Sequence, residues 1–356
     1  MYLSDWTFYK NGEGSEGSFA DPNSDYWLFF AGNRVSYDED YVINLLNPDV
    51  QEIIIDTLVS KANCGVWDGI MIDSIAEDGL KLVGVGDLPL RIRQEYKDAM
   101  IHVLREVRLR ARDNFLILIN AGPGKSPSFA PYVNGSYMEC GREPHRVYNL
   151  DELRVIEETL LWNEENLRSP QINCLEGFGF PTERPNSPLN QKWMRIFTTL
   201  SLTHSDGYVL YNRGGFYIGE AHHDHIWYDF WNADLGRPVG GNKTKAQTYN
   251  DIDGIFIREF TNGWAVYNRS GTEQEISLIA QTTGVASGAT SFRHVIADLD
   301  GEMYLKTGIT ADINGDGVVN VLDLVIVANA LGKTNPDLNG DGVVNILDLV
   351  IVANAF

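Results

Sequence analysis

A chain of 356 residues is long enough for two or three domains and one large core. Hydrophobic residues at 44% and 8 tryptophans exclude a disordered chain. A formal net charge of −21 argues against nucleic acid or an anionic membrane as partner, and no apolar run approaches the ~20 residues of a membrane span.

The chain opens MYLSDWTFYKNGEGSEG, without the basic start, apolar stretch and small-residue cleavage site of a secretory signal. Short apolar runs that end in a polar residue then alternate with helical stretches. YLSDWTFY is a candidate strand, YWLFF (26–30) the next and GIMID (69–73) the one after. Pro89 to Arg112 carries helical periodicity through Ile92, Tyr96, Met100, Val103, Leu104 and Val107. FLILIN (115–120) and GSYMEC (135–140) read as strands, and 150–166 as a helix. INCLEG (172–177), the helical 191–202 and GYVLYN (207–212) complete the series. Brief, nearly continuous apolar strands between helices predict an α/β fold with a buried parallel sheet. So many units favour a (β/α)8 TIM-type barrel over an open sheet, over residues 1–245. Six or seven strands are found where eight are needed. The barrel is therefore expected to be N-terminally incomplete, with its first one or two βα units upstream of Met1.

From 251 to 308 the pattern changes. IFIREF, GWAVYNRS, QEISLIA, SFRHVIADL and GEMYLKTG are strands parted by turn residues, with no helix between them. That predicts a small antiparallel β domain. Cys64, Cys140 and Cys174 are odd in number and scattered, and imply no disulfide framework.

The last segment, 309–356, repeats itself. Asp312, Asn314, Asp316, Val318, Asn320 and Asp323 recur 25 positions on as Asp337, Asn339, Asp341, Val343, Asn345 and Asp348. Side-chain oxygens at loop positions 1, 3, 5, 9 and 12, a backbone carbonyl at 7 and glycine at 6 make a calcium loop. Two loops in register predict two Ca2+ ions. The EF-hand pattern has Glu at position 12, where this chain has Asp. That tandem spacing, followed by LVIVANA, resembles the type I dockerin. The resemblance implies a helical module that binds a cohesin-like partner and a protein that works outside the cell or at its surface. Loop positions 10 and 11, where dockerins read their partner through small hydroxyl residues, hold Val321-Leu322 and Ile346-Leu347 here.

In a barrel, the residues that close the strands are the candidates for chemistry. They are Asp73, Asn120, Glu139, Glu176 and Asn212. Three carboxylates at one end suit glycoside hydrolysis, which needs one acid and one nucleophile or base. Each has a structural alternative: Asp73 as a helix cap, Glu139 in an ion pair with Arg142, Glu176 as a fixture beside the flexible GFGF. Trp227, which ends AHHDHIW, and Trp231 are expected to pack against sugar rings. Adjacent histidines in that run are poorly spaced for zinc, and NAGPGKS lacks the first glycine and the helix of a phosphate loop.

The order of W-L-F-F-x-G-N, NPDVQEIIIDTL, WDGIMIDSI, LILINAG, GSYMECG, DLGRP and REFTNGWAVYNRS resembles a group of (β/α)8 glycoside hydrolases with a small β domain. The β domain's signature is R-x-F-x-N-G-x-x-x-x-N. The resemblance implies a glycoside hydrolase acting on a polysaccharide or oligosaccharide. In barrel hydrolases of this layout the fourth-strand Asp is the nucleophile and the sixth-strand acid the proton donor. With YWLFF as third strand, those roles fall on Asp73 and Glu139. The alternative is a non-catalytic carbohydrate-binding or assembly protein with a degenerate barrel.

Overall fold

The computed structural model describes residues 2–3, 7–8, 21, 23–37, 40–75, 77, 88–141, 146–212, 225–307, 311–314, 316, 318–338 and 342–356. It divides into two compact units, Met1–Ile226 and Trp227–Phe356.

The first unit begins with short strands: β1 (Tyr2–Leu3), β2 (Thr7–Phe8), β3 (Phe29–Phe30), β4 (Asn33–Arg34), β5 (Ser36–Tyr37) and β6 (Asp40–Val42). Then come α1 (Pro48–Asn63), β7 (Gly69–Ile72), α2 (Leu90–Arg110), β8 (Leu116–Asn120) and β9 (Gly135–Glu139). The unit closes with α3 (Leu150–Asn166), β10 (Ile172–Phe178), α4 (Pro188–His204) and β11 (Tyr208–Asn212). The six strands β1-β7-β8-β9-β10-β11 form one sheet in that order, and every pairing in it is parallel.

The YL of YLSDWTFY supplies the strand beside GIMID. YWLFF does not. Its Phe29–Phe30 pairs antiparallel with Asn33–Arg34, and Trp27 bridges Ile43 antiparallel. The reason is local: Ala31 and Gly32 have φ of 50° and 83°, a reversal that turns the run back on itself. Helix α1 was quoted above only as the motif NPDVQEIIIDTL. Asn47 caps it by accepting from the Asp49 N–H, and Pro48 takes the first helical position, where a missing N–H costs nothing.

Side chains alternate across the sheet with the period of two. Ile70, Ile72, Ile117 and Ile119 are fully buried against Val50, Ile55 and Leu58 of α1 and Tyr96, Met100, Val103 and Leu104 of α2. Packing there is tight enough to dictate glycine. A Cβ on Gly135 would lie 1.7 Å from the Ile172 carbonyl oxygen, and one on Gly177 would lie 2.6 Å from the Phe197 ring.

In the second unit β12 (Ile255–Phe260), β13 (Gly263–Asn268), β14 (Gln274–Gly284), β15 (Thr290–Ile296) and β16 (Asp300–Lys306) make a sheet of order β12-β13-β16-β14-β15. Its pairings are antiparallel. The signature residues prove structural. Arg258 is buried at 1% exposure, and a Cβ on Gly263 would meet the Tyr304 carbonyl oxygen at 2.0 Å. Asn268 Nδ2 donates to the carbonyls of Thr272, Ile296 and Ala297.

Helices α5 (Val321–Asn329) and α6 (Ile346–Ala353) follow, each opened by an asparagine–aspartate capping box. Ala311, Val327, Ala330, Val344 and Val352 form their shared core. Among the described residues, no helix is long and apolar enough to cross a membrane.

Candidate active site and calcium loops

Strand register decides which polar residues meet. Met71 lies level with Leu118, Asn120 with Tyr137, Tyr137 with Cys174, Glu139 with Glu176, and Phe178 with Asn212. Counting in steps of two, Asp73, Asn120, Tyr137, Glu139, Cys174, Glu176 and Asn212 share the face opposite the one covered by α1 and α2. All five strand-closing candidates therefore stand on one face, at the C-terminal ends of the strands.

Each is held differently. Asp73 follows β7 and accepts from the N–H of Ser74 at 2.8 Å, while Ser74 adopts a φ of 55°. A left-handed serine directly after a polar strand end is a strained conformation of the kind that aims a functional side chain. The next residue, Ile75, donates its N–H to the Asn120 carbonyl at 2.9 Å. Asn120 is buried, and its Nδ2 donates to Glu139 Oε2 at 2.8 Å while its Oδ1 accepts from Gly122 N–H at 3.0 Å. Its amide is thereby fixed, and it presents a donor to the half-buried Glu139. Arg142, the ion-pair partner considered for Glu139, lies outside the described residues.

Glu176 is fully buried. One of its oxygens accepts from the Tyr137 hydroxyl and the other meets His225 Nε2 at 2.6 Å. Burial, followed by the charge of Glu176, raises the Tyr137 hydroxyl far above its ordinary range. The same two causes push the Cys174 thiol up to about 12. Cys140, next to Glu139, is raised by burial first and then by Glu176, Glu139 and Glu152. His225 also bridges the backbone of Asn212. Tyr137 and His225 are not among the strand-closing candidates: Tyr137 alternates with Glu139, and His225 ends AHHDH, the run weighed above for zinc. The rest of that run, 221–224, lies outside the described residues.

Trp227 and Trp231 belong to the second unit. Their rings meet edge to face at 5.6 Å, and Trp227 is 70% exposed with its Nε1 bonded to Asn232 Oδ1 at 2.8 Å. Trp231 packs in turn on the buried Tyr228, 5.1 Å away.

In the C-terminal loops the carboxylates at position 12 gather backbone N–H groups from both ends of the loop. Asp323 Oδ1 accepts from the N–H groups of Ile313 and Asn314, and Oδ2 from that of Asn320. Asp348 repeats this with Leu338 and Asn345. The Asn320 N–H above all, then those of Asn314 and Ile313, hold the Asp323 carboxyl below its ordinary range. At position 1, Asp312 accepts from the Asp316 N–H and Asp337 from the Gly342 N–H. These bonds wrap each loop around its own oxygens. The donor set is all oxygen and includes three carboxylates per loop, which fits a hard cation such as calcium. Asn339 and Asp341 lie outside the described residues.

Residues 310–356 match the family model of the dockerin type I domain. They form a type I dockerin. Dockerins of this type bind calcium, and dockerin domains bind cohesins. Residues 10 and 11 of its two loops stand out from the surface: Val321, Leu322, Ile346 and Leu347 are each more than half exposed.

No curated protein matches the chain in sequence. Solved structures similar to it include an α-amylase from Malbranchea cinnamomea, at 13% identity and TM-score 0.40, covering 85% of this chain and 68% of that one. An isomaltulose synthase from Protaminobacter rubrum is similar at 11% identity and TM-score 0.45, covering 75% of this chain and 70% of its own. A GH36 α-galactosidase from Geobacillus stearothermophilus is similar at 11% and 0.44, covering 85% and 44% respectively.

Proposed function

We propose that the protein is a glycoside hydrolase of polysaccharide or oligosaccharide, anchored outside the cell through its dockerin. Its parallel sheet is read as part of a (β/α)8 barrel, with residues 1–245 as catalytic domain, 251–308 as β domain and 309–356 as dockerin. Each dockerin loop takes one Ca2+, two in all, and the exposed apolar residues at positions 10 and 11 face a cohesin-like partner.

The observation that carries the proposal is the spacing of carboxylates on one sheet face. Asp73 follows β7 and Glu139 ends β9, two interstrand steps across and two residues along, and so about 12 Å apart at the backbone. Their side chains can reach toward each other across a sugar ring. Glu139 and Glu176 lie on adjacent strands, about 4.8 Å apart at the backbone. In keeping with the resemblance to barrel glycoside hydrolases, Asp73 is assigned as the nucleophile or base and Glu139 as the acid. Glu139 gives its proton to the departing glycosidic oxygen as the bond to the anomeric carbon breaks. If the carboxyl groups stand about 5–5.5 Å apart with sugar bound, Asp73 bonds to that carbon and a water deprotonated by Glu139 releases the sugar with retention. At about 6.5–9.5 Å, Asp73 deprotonates a water instead and the configuration inverts. Asn120 orients Glu139 and Asn212 binds sugar; Trp227 and Trp231, in the second unit, are assigned as sugar-packing residues on their own account.

Reducing-end release from a polysaccharide panel tests the reading, alongside pull-down on the same polymers. Asp73→Asn and Glu139→Gln, nearly isosteric, should each cut turnover by ~10²–10⁴-fold with the thermal midpoint unchanged. Azide should restore turnover to one of them if the enzyme retains. Glu176→Gln inactive beside a normal Glu139→Gln would move the acid one strand over. Polymer retained without any reducing ends released would mark a carbohydrate-binding protein that does not cleave.

A further inference from the structure

Beside Glu176 the sheet face carries an imidazole that the proposed roles leave unused. His225 arrives there where the chain returns to the end of β11 and bridges Asn212 antiparallel. Its Nε2 lies 2.6 Å from Oε1 of Glu176. The two side chains differ in exposure: that of Glu176 is fully buried, whereas that of His225 is 32% exposed. The acid is the floor of the pair and the imidazole its accessible part.

The acid is held on its other oxygen as well. Oε2 accepts from the Tyr137 hydroxyl, and burial, then the charge of Glu176, keeps that hydroxyl protonated. A fully buried acid is a poor device for stability alone, because an apolar residue of similar volume serves as well or better. The return of the chain is already tied at this point by the backbone bridge to Asn212. What the acid adds is a fixed ring: the bond made by one imidazole nitrogen sets whether the other carries a proton.

We infer that Glu176 and His225 form a site for a sugar hydroxyl, in which Nε2–H donates inward to Glu176 and Nδ1 accepts from bound carbohydrate. The inference rests on the reading of this face as a carbohydrate site. Among the described residues Nδ1 has no hydrogen-bond partner, so its lone pair is kept for a ligand. His225 touches the sugar, and Glu176 is a positioning residue that acts through it. An acceptor nitrogen on a face lined with acids takes a hydroxyl hydrogen and disfavours a carboxylate, which makes a neutral sugar the ligand class. Position narrows it further. Asp73 follows β7, Glu139 ends β9 and His225 stands by β11, so His225 lies past Glu139 on the side away from Asp73. A hydroxyl there belongs to the unit next to the one held between the two acids, and the ligand is at least a disaccharide.

The test reads the ring nitrogens in the full chain. Long-range ¹H–¹⁵N correlation on ring-¹⁵N histidine separates protonated from acceptor nitrogens, and His225→Gln assigns the His225 signals among the seven histidines by their loss. One tautomer is expected, with Nε2 protonated, and its Nδ1 signal should shift with at least one of cellobiose, maltose, xylobiose and mannobiose. Glu176→Gln keeps an acceptor for the Tyr137 hydroxyl and removes the charge. The single tautomer should then be lost and the dissociation constant for that disaccharide should rise about tenfold. His225→Gln should weaken binding by a similar factor, and the double variant by no more than either alone, since Glu176 acts only through the ring. A merely structural acid would lower stability without moving tautomer or affinity. The inference is overturned by an Nδ1 signal that none of the four sugars moves, or by undiminished affinity in His225→Gln, whose partly exposed side chain keeps that arm readable if Glu176→Gln does not fold. Failure of the proposed catalysis looks different: the Nδ1 signal still moves with sugar, while Asp73→Asn and Glu139→Gln turn over like the parent chain or no reducing ends are released.

Discussion

Two kinds of buried acid coexist in this protein, and they are held in opposite ways. Asp323 and Asp348 of the dockerin are fully buried, yet every donor named for them comes from a backbone N–H within ten residues. Glu176 of the parallel sheet is as deeply buried, and its donors are side chains 39 and 49 residues distant. The first arrangement is written into a short spacing pattern and needs only its loop. The second exists only once β9, β10 and the return of the chain at His225 have assembled. A local cage can be copied within one chain, as the dockerin does; a cage built from distant strands is tied to its fold.

The largest expected contrast is the response to removing calcium. Each dockerin loop carries three carboxylates at its ligand positions, which repel one another without a cation, so metal binding is expected to be coupled to folding. Chelation should abolish hydrogen-exchange protection from 311 onward while the parallel sheet keeps its own unfolding transition. Equal protection of α5 and α6 with and without chelator would show that the local cage holds without its ion.

The converse perturbation is Gly135→Ala. Its added methyl would meet the Ile172 carbonyl at 1.7 Å, so β9 and β10 must part or the backbone must shift. The first unit should lose about 3 kcal/mol or more of stability in a denaturant titration, and the dockerin none. Loss shared equally by both would mean that they unfold as one.

The smallest effect is on acid stability. Because Asp323 is held below its ordinary value of 3.8, it contributes stability above that value and loses it as pH falls through the lower folded value. Protection of α5 at fixed calcium should persist at pH 5 and decline only below about 3.8. In Asp323→Asn that decline should be weaker, because one of the titrating groups is gone. An unchanged profile in the variant would place the acid sensitivity on the other loop ligands.

The sequence by itself determined the dockerin, the run of strands from GIMID to GYVLYN, the helices of 89–112 and 150–166, and the antiparallel domain. All of these depend on short-range quantities: apolar period, ligand spacing and turn residues. It also picked out Asp73, Asn120, Glu139, Glu176 and Asn212 as strand ends, since a polar residue that closes an apolar run is visible in one dimension. What only the tertiary structure decided was register and partnership. YWLFF has the composition of a buried strand, but the reversal at Ala31 and Gly32 turns it into a hairpin, and YL takes the place beside GIMID. That Glu139 stands level with Glu176, and that Tyr137 and His225 converge on the latter, follows from how strands slide and stop against one another. Hydrogen bonds across such separations depend on the packed core beneath them, and no local pattern in the chain encodes that.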